Sequence, residues 1–101
     1  MTRENLPSRR QIETFKFTHN GMKHHASFSR YDDGRVAEVF LDVAKSGTAL
    51  RTIAHDGALA ISLALQFGCP LETLRHAMVR TDTGEAAGPL GAMLDLLQEA
   101  K

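Results

Sequence analysis

The sequence predicts an α+β domain of order βββααα: a three-stranded antiparallel meander, then three helices, with the long central helix packed on the sheet. Three observations carry this. Apolar residues alternate with polar ones between residues 13 and 43, two turn signals punctuate that alternation, and after residue 47 the apolar spacing lengthens to a helical period.

Each element follows from its residues. Residues 1–10 hold Arg3, Arg9, Arg10 and Pro7 without apolar periodicity and read as a flexible N-terminal arm; residues 11–101 form the single domain. In the first strand Phe15 and Phe17 share one face, and Thr14, Lys16 and Thr18 the other. Asn20-Gly21 then signals a hairpin, because both residues tolerate the positive φ of a type I′ turn. The return strand, 22–30, places Met22, His24, Ala26 and Phe28 together. After the turn Tyr31-Asp32-Asp33-Gly34, residues 36–43 alternate again through Ala37, Val39, Leu41 and Val43.

Leu50, Ile53, Ala54, Ala58, Ile61 and Leu65 mark the central helix, with Ser46 or Thr48 able to cap its start and Gly68 to close it. Residues 58–67 are apolar almost all round apart from Ser62 and Gln66, which predicts cover on both sides. Pro70 opens a short helix over about 71–79. Pro89 opens the last, in which Leu90, Met93, Leu94 and Leu97 form a stripe.

Composition excludes several classes. The chain has 101 residues, 12 Lys+Arg against 12 Asp+Glu, and one Cys. Zero formal charge removes the simplest electrostatic case for a nucleic acid or an acidic membrane. A lone Cys makes no internal disulfide and suits a reducing cytoplasm, and no apolar run reaches the length of a membrane span.

The candidates for chemistry are sparse. His24 and His25 project to opposite faces of a strand, and Cys69 stands roughly 10 Å along the chain from His76 at helical rise, so no metal site and no cofactor are expected. Cys69 precedes a helix start, where a thiolate is favoured and His76 is the local candidate base; the plainer reading is a small, partly buried filler. Glu38 and Asp42 share a strand face roughly 13 Å apart, too far for a carboxylate pair, and with Phe40 between them they read as an edge or interface surface. The leucines Leu90, Leu94 and Leu97 are the second expected contact surface. Lys45, Gly47, Thr48 and Arg51, at the start of the central helix, could hold an anionic ligand, as could the helix start near Pro70.

The runs Asp33-Gly34-Arg35-Val36-Ala37-Glu38-Val39-Phe40-Leu41, Lys45-Ser46-Gly47-Thr48 and Ser62-Leu63-Ala64-Leu65-Gln66-Phe67-Gly68-Cys69-Pro70-Leu71-Glu72 resemble, in order, a known unit. It is the TSCPD-type domain, the small C-terminal domain of vitamin B12-dependent (class II) ribonucleotide reductases, also found in short free-standing bacterial proteins. The resemblance covers roughly residues 13–79, and Ala86 to Gly91 looks like the tail of family members. It implies an accessory, regulatory or interaction module. Reductase chemistry needs a radical-bearing Cys and a redox Cys pair, and this chain has one Cys, so no catalytic residue carries over. Two functions are therefore expected as alternatives. The first is a non-catalytic domain that homo-oligomerises or docks onto a larger protein, plausibly a ribonucleotide reductase or another enzyme of nucleotide metabolism. The second is a small-ligand or nucleotide-binding protein using the helix starts near Gly47 and Pro70.

Overall fold

Two turns that demand positive φ set the sheet. Asn20 and Gly21 adopt φ of 50° and 77°, as a type I′ turn requires, and fold β1 (Glu13–His19) back on β2 (Met22–Arg30). At the second turn Gly34 takes φ of 94° and its amide donates to the Tyr31 carbonyl at 2.9 Å, returning the chain as β3 (Val36–Val43). This computed structural model describes residues 2–44 and 48–99. The sheet order is β1-β2-β3, antiparallel throughout, with a register shift between Ser29 and Arg30. Phe15 lies opposite Ala26 and Ala26 opposite Leu41, so the apolar sets of the three strands share one face.

The helices are α1 (Thr48–Gln66), α2 (Leu71–Ala77) and α3 (Pro89–Glu99), which completes the α+β order. α1 closes with a Schellman arrangement: Gly68 sits at φ 99°, the Cys69 amide donates to the Ala64 carbonyl at 2.9 Å and the Gly68 amide to Leu65 at 3.1 Å. Ala26, Phe28, Leu41 and Val43 of the sheet form one core with Ala54, Ala58, Ile61 and Leu65 of α1, Leu71, and Met93, Leu94 and Leu97 of α3. α1 and α3 approach closely at Gly57, where any β-carbon would run into Leu90 Cδ1.

Two expectations are corrected here. Cover on both sides of residues 58–67 fails, because α1 runs along the outer edge of β3. There the Val39 amide donates to Ser62 Oγ at 2.9 Å, Ser62 Oγ lies 3.0 Å from the Val39 carbonyl, and Gln66 Nε2 donates to the Ala37 carbonyl at 3.0 Å. The two polar residues of that stretch are thus buried, satisfying edge groups that would otherwise lack partners, while Leu59, Leu63 and Phe67 turn outward. The leucine stripe of α3 is corrected as well: Leu94 and Leu97 are 0% exposed and Leu90 is packed against the core, so the stripe closes the domain instead of meeting a partner.

The segment before β1 takes no regular secondary structure but makes contacts. The Glu4 amide donates to the Gln66 carbonyl at 2.7 Å, Tyr31 Oη donates to the Glu4 carbonyl at 3.3 Å, and Arg35 pairs with Glu4 at 3.0 Å. At the other end of the fold Asp95 is gripped by Arg80, with bonds of 2.7 and 2.8 Å, and by Arg75 at 3.0 Å. Hydrogen bonding to Arg80 above all, then to Arg75, holds the Asp95 carboxyl down at about 2.

Candidate functional site

The sheet's second face is polar by alternation, with Thr14, Ser27 and Phe40 in one cross-strand row and Lys16, His25 and Asp42 in the next. Because α1 lies along β3, its outer flank stands beside this face instead of covering it. Between the two runs a groove of about 560 Å³, with Phe40, Leu59, Leu63, His55 and Ser27 on its walls and Arg3 and Leu6 at one end. Phe40 is 49% exposed and Leu59 61%, so large apolar side chains meet water there.

Glu38, Gln66 and Asp42, which line the groove, have partners within the chain. Glu38, only 5% exposed, accepts from Ser29 Oγ at 2.7 Å and pairs with the Arg10 guanidinium, so the carboxylate is neutralised from within the chain. Gln66 accepts at Oε1 from Arg3 Nε at 2.6 Å while its amide nitrogen serves Ala37. Asp42 meets Arg51 Nε at 2.9 Å and His55 Nε2 at 3.4 Å, and accepts from the Val43 amide at 3.0 Å. Desolvation raises its pKa, but Arg51, the Val43 amide and His55 outweigh that and hold it below the usual value.

The structure divides the residues singled out in the sequence. Phe40 lies in the groove with Asp42. Glu38 lines the same groove, but it is buried as one half of an ion pair and is not an open contact residue. Arg51 is committed to Asp42. Lys45 and Gly47 lie outside the described residues, as does the side chain of Thr48. Cys69 lies elsewhere, half-buried in a cleft of about 230 Å³ with Arg35, Leu65 and Leu71, its Sγ 3.8 Å from the Pro70 carbonyl. His76 bonds Glu72 at 2.6 Å, a contact that lowers the Glu72 pKa, and no hydrogen bond joins His76 to Cys69 among the described residues. Nor does any group of three His, Cys, Asp or Glu among them stand ready to hold a metal ion.

Sequence reasoning missed Leu59, Leu63 and Arg3. A signal for the first two existed: Ser62 and Gln66 are one turn apart in an otherwise apolar half-helix, marking the stripe that faces backbone and leaving the neighbouring leucines outside. Arg3 carried no pattern, since its partner is 63 residues away.

Fold and groove together define a small α+β domain with an open apolar groove beside its sheet. The chain belongs to the TSCPD domain family, which matches residues 1–100. It is 42% identical over 88 residues to a vitamin B12-dependent ribonucleotide reductase of Bradyrhizobium diazoefficiens, covering 87% of this chain and 7% of that protein. A reductase of the same description from Agrobacterium fabrum is 44% identical over 79 residues, covering 78% of this chain and 6% of the relative. The corresponding protein of Rhodopirellula baltica is 39% identical over 79 residues, 78% of this chain and 8% of its own length. The chain therefore spans less than a tenth of these three relatives. No solved structure matches it significantly. No helix among the described residues is long and apolar enough to cross a membrane.

Proposed function

We propose that the chain is a non-catalytic interaction domain that acts by self-association or by docking to a larger partner in nucleotide metabolism, a ribonucleotide reductase first among them. The groove face is its contact surface. One observation carries the reading: exposed Phe40, Leu59 and Leu63 line a concavity whose carboxylates, Glu38 and Asp42, are each paired with an arginine of the same chain. A partner covering this face gains apolar burial and strands neither carboxylate, the condition under which an interface core is favourable. The size relation supports it, since relatives named as reductases carry this domain as a small part of a much longer chain.

No observation favours the ligand-binding alternative at the start of α1, where Arg51 is already engaged by Asp42. The test is calorimetric titration of the chain against a B12-dependent ribonucleotide reductase, beside sedimentation of the chain alone. Saturable association in either experiment, weakened by Phe40→Ser, is the expected result. No association in either at about 100 µM, well above the dissociation constants of specific complexes, contradicts the reading.

A further inference from the structure

On the groove face Phe40 is 49% exposed, Leu59 61% and Leu63 37%, so cover there buries large apolar side chains. Leu59 and Leu63, one turn apart on the outer flank of α1, form a ridge beside the trough that holds Phe40. Two leucines one turn apart on one helix are self-complementary under a two-fold rotation about an axis between them, the symmetry of the commonest homo-oligomers.

Charge points the same way. Asp56, exposed at the middle of α1, and Arg3, which lines the groove and bonds Gln66, make no ion pair among the described residues. A two-fold axis passing beside Leu59 and Leu63 runs two copies of α1 antiparallel and sets Leu59 against the partner's Leu63. The same operation brings Asp56 to the partner's Gln66, where the partner's Arg3 sits. Unpaired charges of opposite sign thus meet at both ends of the apolar ridge.

We infer that the occupant of the groove face is a second copy of this chain, in an isologous dimer built on antiparallel α1 helices, with Leu59 and Leu63 at its centre and Arg3 to Asp56 ion pairs at its ends. This rests on the groove face being the contact surface. It adds the partner and the register.

Sedimentation equilibrium on the full chain from about 1 to 200 µM, a range that brackets micromolar affinity, tests it. The expected result is a species of twice the chain mass. Leu59→Asp, at a position too exposed to affect folding, weakens dimerisation by about 100-fold or more, because the two-fold repeats the buried charge. Asp56→Arg alone weakens it about tenfold, and Arg3→Asp with Asp56→Arg returns it to within about threefold of the parent. A monomer at the highest concentration, a dimer indifferent to Leu59→Asp, or a double variant no tighter than Asp56→Arg alone overturns the inference. If the chain is monomeric yet binds a reductase in a manner that Phe40→Ser weakens, this dimer fails and the contact-face reading stands.

Discussion

Two sets of leucines meet opposite fates in this domain. In α3, Leu94 and Leu97 are sealed in the core; in α1, Leu59 and Leu63 stand in an open groove. Both helices are rich in apolar residues, and on periodicity alone the α3 stripe looks the better contact surface. The difference lies in what each helix packs against. α3 contributes its stripe to the core formed with the apolar face of the sheet. α1 lies along the edge of β3, so its inward stripe includes Ser62 and Gln66, which serve the strand's backbone, and the leucines beside them are turned out. Burial of an apolar stripe is thus decided by the hydrogen-bonding needs of the neighbouring strand as much as by hydrophobicity.

The sharpest way to break this comparison is to truncate one leucine from each set. Leu94→Ala should cost about 3–5 kcal/mol, because it opens a cavity in a close-packed core, whereas Leu59→Ala should stay within about 0.5 kcal/mol when unfolding is followed by urea at concentrations where the chain is monomeric. Equal losses would show that the two sets do not differ. Next in size, Ser62→Ala leaves the buried Val39 amide without its partner and should cost about 1–3 kcal/mol in the same assay, with faster hydrogen exchange at Val39 than at residues paired to β2. Gly57→Ala sets a methyl group against the movable end of the Leu90 side chain but gains about 1 kcal/mol of helix propensity, so its net effect should stay within about 1 kcal/mol.

Two further effects are read from pH. Asp95 is held down at about 2 from an ordinary 3.8. Its contribution is therefore complete above pH 3.8 and is lost as pH falls through 2; it amounts to about 1–2 kcal/mol at most for this partly exposed group, and Asp95→Asn should flatten that limb of the stability curve. His24 is buried, stacked on Phe17 at 5.1 Å, with Nδ1 lacking a hydrogen-bond partner among the described residues. Burial, and then the nearby charge of His19, lower its pKa from 6.5. The folded state thus takes up its proton later than the unfolded one, so stability is full above pH 6.5 and declines as pH drops below it, a decline that His24→Phe should remove.

Most of the fold was legible because its signals are local. Asn20-Gly21, Gly34 and Gly68 each occupy the positive-φ position their motif requires, and period-two alternation assigned the strand faces correctly from Phe15 to Val43. The groove was only partly legible. Phe40 could be found as an apolar residue on a polar face, but its companions depend on where α1 sits, which Ser62 and Gln66 decide through bonds 23 and 29 residues away in sequence. Glu38 was placed on the right face and given the wrong role, since its partner Arg10 lies in a segment without periodicity. His76 was paired with Cys69 by proximity along the chain, while Glu72, one turn away on the same helix, takes its ring.

The most direct measurement is selective disulfide trapping in a Cys69→Ser background, which removes the chain's single thiol. Leu59→Cys and Leu63→Cys proteins, differing in mass through a tag, are mixed and mildly oxidised, and the products are separated without reductant. Antiparallel α1 helices about a two-fold beside these residues predict a mixed disulfide between position 59 of one copy and position 63 of the other, with little cross-linking by Ile53→Cys, which is exposed on the far flank of the helix. Cross-linking through Ile53→Cys that matches the mixed pair, or none through the pair, would contradict the account.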